Sequence, residues 1–286
     1  MRDPEELVDP SLAGGSPPFT GRGVRLLATD IDGTLVRRDG SPSPRTLAAV
    51  RAATEAGLEV VLVTARPPRW VDALVEQLGC HPLVVCSNGA LLYDAIAREV
   101  VAEHALQPAT AEEVIARLRR EFLGVAVAVE IGLGYGQEPH YLAQWPVPTD
   151  AVVAFAEALV ADPVAKLIVR HAESGDPWEL MERARRAVGG LAEVSSSGRT
   201  ALIEITAAGV NKALALEIVA GRLGAPAASV VAFGDMPNDL PMLAWAGRSV
   251  APANAHADVL AMVDHVTEDC EAEGVALVIE AILDAR

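Results

Sequence analysis

Residues 25–35, with the sequence RLLATDIDGTL, constrain the fold of this chain most strongly. A short apolar run leads into two aspartates, Asp30 and Asp32, and such runs bounded by turn residues are typical of buried parallel strands. We therefore expect Asp30 at the carboxyl end of a strand, where open α/β sheets bind ligands. Two carboxylates this close repel each other, and a hard divalent cation with oxygen ligands would offset the repulsion. An acidic turn is the simpler alternative.

Alternating strands and helices follow this motif. We predict a helix over residues 46–56, a buried strand over 58–64, a helix from 67 to 78 and a short strand over 83–86. Pro67 and Pro68 suit the first turn of a helix, where a missing N–H costs little. Strand, helix, strand, helix, strand at this spacing indicates right-handed parallel crossovers.

The pattern changes from about residue 108. The predicted elements are helix ATAEEVIARLRREF, strand GVAVAVEI, strand HYLAQW, helix TDAVVAFAEALVA, strand VAKLIVR, helix PWELMERARRAV and strand LAEVSSS. Consecutive strands without a crossover imply antiparallel pairs, and the glycines of GLGYG favour a hairpin turn over a dinucleotide loop. Strand ALIEIT leads back, and the α/β alternation then resumes. We predict a disordered lead-in over 1–22, a core of 23–89 and 205–286, and an inserted domain over 90–204.

Composition narrows the classes of function. The 286 residues are 51% hydrophobic and carry a formal net charge of −16, which argues against disorder and against binding to nucleic acid or anionic lipid. No apolar run approaches the roughly 18 residues of a membrane span, and the acidic N-terminus does not resemble a signal peptide. The three scattered cysteines indicate reduced thiols and a cytoplasmic location.

A second acidic motif, GDMPNDLPML, follows the predicted strand SVVAF. Asp235 is expected at the strand end and Asp239 in the first turn of a helix, where an acid also favours the helix dipole. Thr64 ends a predicted strand, and Lys212 begins a predicted helix. Only Lys166 and Lys212 are lysines among the 23 basic residues, so we consider both as candidate functional residues.

These groups suit phosphoryl transfer. The reaction needs a nucleophile, a metal ion and fixed positive groups around the equatorial oxygens. An aspartate can be the nucleophile and form an acyl phosphate, while a second carboxyl protonates the leaving oxygen and then deprotonates water. A strand terminus for Thr64 and an exposed helix start for Lys212 are the simpler alternatives.

The motifs DIDGTL, VLVTAR, GVNKALAL and GDMPNDLPML, in this order, resemble those of the haloacid dehalogenase-like phosphatases. The inserted block resembles the type IIB cap of their Cof-type branch. The resemblance implies an α/β fold in which a Rossmann-like parallel-sheet core carries an inserted α+β cap of order αββαβαββ. It also implies a magnesium-dependent phosphatase. Where many relatives have Thr-Gly-Arg, this chain has Thr-Ala-Arg at residues 64–66.

The resemblance also implies roles for individual residues. Asp30 is the nucleophile and a Mg²⁺ ligand, and Asp32 is the acid/base whose main-chain carbonyl is a further ligand. The phosphoryl group is held by two residues, Thr64 and Lys212. Asp235 is the remaining carboxylate ligand, and Asp239 supports the metal site. Three asparagines match family positions near the phosphate or the cap hinge: Asn88, Asn238 and Asn254.

We expect a small-molecule phosphomonoester as the substrate, such as a sugar phosphate, and a monomer or weak homodimer with no nucleic-acid or membrane partner. A phosphosugar mutase and a catalytically silent phosphometabolite sensor are the alternatives. The intact set of acids and Lys212 argues against the sensor, since a binder needs no nucleophile. Four residues of the insert can contact a substrate, although a solvated or packing role is favoured for each: Tyr135, His140, Lys166 and Arg170.

Overall fold

A computed structural model describes residues 21–171, 176–196 and 202–286. The predicted lead-in over 1–22 lies outside the described residues except for its last two positions. The strands of the described chain are β1 (Leu26–Thr29), β2 (Glu59–Leu62), β3 (Leu83–Cys86), β4 (Leu91–Asp94), β5 (Glu99–Glu103), β6 (Val125–Ile131), β7 (Gly134–Gln137), β8 (Val152–Val153), β9 (Lys166–His171), β10 (Ala192–Ser195), β11 (Leu202–Ala207), β12 (Val230–Phe233), β13 (Arg248–Pro252) and β14 (His265–Thr267). The α-helices are α1 (Pro44–Glu55), α2 (Asp72–Leu78), α3 (Pro108–Glu121), α4 (Ala156–Leu159), α5 (Pro177–Val188), α6 (Lys212–Arg222), α7 (Leu240–Trp245), α8 (Ala257–Leu260) and α9 (Gly274–Asp284).

The described residues divide into two compact units. Unit 1 contains the described part of residues 1–62 together with Glu76–His81 and Ala220–Arg286, and unit 2 contains Val63–Val75 and the described part of 82–219. The domain bounds drawn from the sequence, with a core of 23–89 and 205–286 and an insert of 90–204, remain a prediction.

Unit 1 is built on a five-stranded parallel sheet of order β14-β13-β12-β1-β2. Its central strands are continuous apolar runs, and every residue of β1 and β12 is buried. Such runs are typical of parallel strands whose two faces are both covered. Thr29 at the end of β1 lies beside Leu62 on one neighbour and Phe233 on the other. The predicted α/β fold with a parallel-sheet core is confirmed.

The predicted strand over residues 83–86 forms as β3, which keeps one parallel bridge and gains an antiparallel neighbour that the sequence did not predict. It pairs antiparallel with β4 in a separate sheet of order β3-β4-β5, and a single parallel bridge joins Val63 to Val85. The reason lies in the tight turn after β3, where Ser87, Asn88 and Gly89 have φ of 50°, 56° and 97°. Three left-handed residues in succession reverse the chain, so the next strand returns beside β3.

Unit 2 also contains a six-stranded sheet of order β10-β11-β9-β6-β7-β8. Alternate residues of its strands, among them Val127, Leu167 and Ile203, form one hydrophobic cluster with residues of α3 and α5. Because side chains alternate across a strand, the intervening residues face away from these helices. That second face carries Ala128 and Ile168 in a smaller cluster. Polar side chains of β6, β9 and β11 also lie on this second face.

Two elements predicted for the insert are wrong. The segment HYLAQW contains no strand, and TDAVVAFAEALVA contains the two-residue β8 and the four-residue α4 instead of one long helix. The predicted hairpin at GLGYG is confirmed, but its second strand, β7, begins within the glycine-rich segment itself. A Cβ atom at Gly136 would lie 2.7 Å from the Leu159 side chain, so a larger residue there would require Leu159 to shift. Within residues 90–204, the structure also has β4, β5 and β8, three strands that the predicted order does not include.

Candidate active site

Three aspartates of unit 1 form an acidic cluster, which we define as Asp30, Asp235 and Asp239. One carboxylate oxygen from each lies within 4.8 Å of the others, and the residues are only 6%, 2% and 0% exposed. Asp30 directly follows β1, and Asp235 follows the neighbouring β12 by two residues. Buried carboxylates at this separation repel one another and are costly unless a cation is present. All-oxygen donors of this kind fit a hard divalent cation such as Mg²⁺.

The loop that carries Asp235 is shaped by Asp239. The Oδ2 atom of Asp239 accepts hydrogen bonds from the backbone N–H groups of Asp235 (3.0 Å) and Met236 (2.9 Å). Gly234 makes this approach possible, since a Cβ atom there would lie 2.5 Å from the Cβ of Asp239. Asp239 also ends a 3-10 helix, Pro237–Asp239, that leads directly into α7. Its carboxylate therefore holds the loop backbone behind Asp235.

Thr34 supports the cluster from the first motif. Its hydroxyl donates a 2.8 Å hydrogen bond to Oδ1 of Asp235, 201 residues away in the sequence, and both residues are buried. Asn254 stabilises the same loop, because its side chain donates to the Gly33 carbonyl (2.8 Å) and accepts from the Cys270 N–H (2.8 Å). The sequence analysis assigned no role to Thr34, although its position two residues after Asp32 was a usable signal.

Asp32 and Asn238 are placed differently from the acidic cluster. The carboxylate of Asp32 is not part of the acidic cluster. The residue is partly exposed, and its backbone forms an isolated parallel bridge with Val36. Asn238 is partly exposed within the 3-10 helix that ends at Asp239. The acid/base role of Asp32 remains a prediction.

Thr64 belongs to unit 2, two residues beyond the end of β2. We define the 64–66 turn as Thr64, Ala65 and Arg66. The Thr64 N–H donates to the Val85 carbonyl (2.8 Å), its carbonyl accepts from the Asn88 N–H (3.0 Å), and its hydroxyl accepts from the Arg66 N–H (3.1 Å). A hydroxyl that accepts one bond keeps its hydrogen for donation. Thr64 can therefore present an O–H donor while its backbone is fixed.

Lys212, also in unit 2, is the first residue of α6 and is 1% exposed. Asn211 caps this helix, since its Oδ1 accepts from the N–H groups of Ala213 (3.0 Å) and Leu214 (3.1 Å). Gly89 packs on the same corner, where a Cβ atom would lie 2.2 Å from the Asn211 carbonyl oxygen. A buried ammonium at the positive end of a helix is unfavourable by itself. An anion that binds here would offset that cost.

Asn88, Lys166 and Glu204 form a buried polar group in unit 2, and of these only Glu204 was not singled out from the sequence. The Asn88 amide donates to Oε2 of Glu204 (3.1 Å), and the Lys166 ammonium lies 2.5 Å from Oε1 of the same carboxylate. Lys166 is 2% exposed, so a solvated position is wrong for it. The only sequence signal was the rarity of lysine in this chain.

The other candidate residues of the insert are less buried. Tyr135 is partly exposed, and burial raises its pKa to about 12. The His140 ring lies 3.7 Å from the Glu138 carboxylate with about half of its side chain exposed. Arg170 donates to the Leu142 carbonyl. Their roles toward a substrate remain predictions.

Comparisons with known proteins identify the family. A family model of the haloacid dehalogenase-like hydrolases matches residues 27–279. A phosphoglycolate phosphatase of Natronomonas pharaonis is 30% identical over 92% of this chain and 100% of its own length. A 5-amino-6-(5-phospho-D-ribitylamino)uracil phosphatase of Bacillus subtilis is 28% identical over 88% of this chain and 94% of its own. A solved haloacid dehalogenase-like hydrolase from B. subtilis superposes with a TM-score of 0.76 at 24% identity, over 90% and 99% of the two chains.

This chain belongs to the haloacid dehalogenase-like hydrolases. The resemblance to the Cof-type phosphatases is thereby confirmed. The two curated relatives above are named as phosphatases of small phosphate compounds. Within the described residues, no helix is both long and apolar enough to cross a bilayer.

Proposed function

We propose that this protein is a magnesium-dependent phosphatase that hydrolyses a small phosphomonoester, a sugar phosphate or a similar metabolite, through an aspartyl-phosphate on Asp30. The observation that carries the proposal is the acidic cluster, in which Asp30 at a strand end is buried beside two further carboxylates. The functional names of the relatives support the reaction type.

Asp30 is assigned as the nucleophile that attacks phosphorus and forms the acyl phosphate. Asp32 protonates the leaving oxygen and then deprotonates the water that hydrolyses the intermediate. The hydroxyl of Thr64 and the ammonium of Lys212 bind the phosphoryl oxygens, with Asn88 and Asn238 as further polar contacts. Fixed donors of this kind stabilise charge that develops in the transition state.

The carboxylates of Asp30 and Asp235 and the carbonyl of Asp32 would hold Mg²⁺, with Asp239 in support. When bound, Mg²⁺ neutralises charge on the phosphoryl oxygens and on the acidic cluster. Thr34 orients Asp235 through the 2.8 Å hydrogen bond. Such supporting bonds fix the direction in which a ligand presents its lone pairs.

We assign residues 90–204 to a cap domain that selects the substrate, and residues 23–89 and 205–286 to the catalytic core. A net charge of −16 disfavours polynucleotide substrates. The three cysteines are unpaired and buried, which suits the reducing cytoplasm. We expect a monomer or weak homodimer.

A panel of small phosphomonoesters, assayed with and without Mg²⁺, tests the proposal. We expect phosphate release that requires the metal and is abolished by Asp30→Asn, since the amide is a poor nucleophile. A phosphopeptide and an oligonucleotide 5′-phosphate serve as comparison substrates, and we expect negligible turnover of both. Release that persists in Asp30→Asn or after removal of Mg²⁺ would contradict the mechanism.

A further inference from the structure

The two lysines of this chain both occupy buried positions. Lys166 is 2% exposed and Lys212 is 1% exposed, whereas every other member of the 23 basic residues is an arginine. A lysine is almost never fully buried unless it is paired. A compact ammonium with rotatable donors is therefore used at two internal positions, and the proposed mechanism accounts only for Lys212.

Lys166 lies on the face of the six-stranded sheet that is turned away from α3 and α5. Leu167, the next residue of β9, and Ile205, which pairs with Leu167 on β11, point into the helix-side core. Because side chains alternate along each strand, Lys166 and Glu204 share the opposite face. There the ammonium lies 2.5 Å from Oε1 of Glu204, and both side chains are almost fully buried. A buried ion pair is stable only when its remaining donors and acceptors also find partners.

Those remaining partners connect the ion pair to the 64–66 turn. The Lys166 ammonium donates a 2.8 Å hydrogen bond to the Ala65 carbonyl. Glu204 accepts the side-chain amide of Asn88 at 3.1 Å, and the backbone N–H of Asn88 donates to the Thr64 carbonyl at 3.0 Å. Two consecutive carbonyl groups of the turn are thus held by one buried group of three side chains.

We propose that Lys166, Glu204 and Asn88 form a positioning network that fixes the 64–66 turn and, through it, the hydroxyl of Thr64. The inference rests on the proposed function, in which that hydroxyl binds the phosphoryl group. Lys166 acts through the Ala65 carbonyl and is a positioning residue rather than a catalytic one. A misplacement of about 1 Å at a reacting group costs on the order of 10²-fold in rate, which sets the scale of the expected effect.

The double variant Lys166→Met/Glu204→Gln separates positioning from simple stability. It removes the ion pair and the bond to Ala65 without leaving one charge buried alone, and the introduced glutamine keeps an oxygen that can accept the Asn88 amide. The matched control is Glu138→Gln, also in unit 2. Glu138 is 0% exposed, pairs with Arg119 at 2.6 Å and accepts the Val127 N–H at 2.9 Å.

Four quantities are measured on both variants and the wild type: thermal unfolding, kcat, the inhibition constant of inorganic phosphate with Mg²⁺ present, and amide hydrogen exchange of peptides that cover the turn. We expect the double variant to show faster exchange at residues 64–66, a kcat lowered about 10- to 100-fold and weaker inhibition by phosphate. Glu138→Gln should leave the amide exchange of the turn, kcat and the inhibition constant of phosphate near the wild-type values. If the double variant does not fold, Lys166→Arg replaces it, since a planar guanidinium does not reproduce the ammonium bond to Ala65.

Unchanged exchange at the turn would overturn the inference, and so would a loss of kcat no larger than that of Glu138→Gln. A wild type that releases no phosphate from any ester would refute the proposed function instead. Hydrogen exchange would still decide the positioning network in that case, because it does not depend on turnover.

Discussion

The hydrogen bond from Thr34 to Asp235 gives the most specific expectation about the metal site. The bond measures 2.8 Å, both residues are at most 2% exposed, and its acceptor is a carboxylate. Thr34→Val keeps the shape of the side chain and removes the donor. A hydrogen bond to a charged group is worth about 1.5–3 kcal/mol. If the bond serves to orient a metal ligand, the Kd for Mg²⁺ should rise about 10- to 100-fold, in line with other supporting residues of metal sites.

Thr267→Val is the matched control. Thr267 is also a buried threonine of unit 1, and its hydroxyl donates a 3.0 Å bond to the backbone carbonyl of Gly274. Through the lost hydrogen bond, Thr34→Val should lower the free energy of unfolding by about 1.5–3 kcal/mol and Thr267→Val by about 1 kcal/mol. Only Thr34→Val should weaken Mg²⁺ binding in calorimetric titration and raise the Mg²⁺ concentration needed for half-maximal turnover. Equal Mg²⁺ affinity in the two variants would refute the orienting role of Thr34.

Three further predictions concern proton transfer, phosphate binding and the thiols. Asp32→Asn should reduce turnover of an alkyl phosphate about 10²- to 10⁴-fold but spare p-nitrophenyl phosphate, whose leaving group needs little protonation; equal losses on both would argue against the acid role. Lys212→Arg should lose most of kcat although the charge is kept, because a planar guanidinium does not replace a compact ammonium, and near-native kcat would place Lys212 outside the site. Burial raises the pKa of Cys80 to about 12 and that of Cys270 to about 11, and it raises the pKa of the Cys86 thiol as well. Thiol reagents at pH 8 should therefore react only as the protein unfolds, and rapid labelling of the native protein would contradict this burial.

The part of the fold that local sequence signals determine was predictable. The apolar run before Asp30 predicts a buried strand because it is short, continuous and followed by turn residues, and β1 forms there with parallel neighbours. Asp235 follows another such run, and the structure brings both acids together with Asp239. Strand ends that carry acids were sufficient to locate this cluster.

Other features depend on contacts between distant residues and were not predictable. The antiparallel pairing of β3 follows from three left-handed residues at 87–89, and nothing in the local hydrophobic pattern specifies those angles. β7 forms in a segment whose glycines favour a turn, and it pairs antiparallel with β6 and lies against the Leu159 side chain at Gly136. Lys166 meets Glu204 across 38 residues, so only its rarity as a lysine marked it.

The central claim is that Asp30 becomes phosphorylated during turnover, and acid quenching tests it most directly. Wild-type protein is mixed with Mg²⁺ and a phosphomonoester that it hydrolyses, and the reaction is quenched in acid within the first turnover. The protein is then digested and examined by mass spectrometry. We predict a phosphoryl group on Asp30 that hydroxylamine removes, as expected for an acyl phosphate, and none in Asp30→Asn. Phosphate release in the first turnover with Asp30 unmodified, or with the phosphoryl group on another residue, would contradict it.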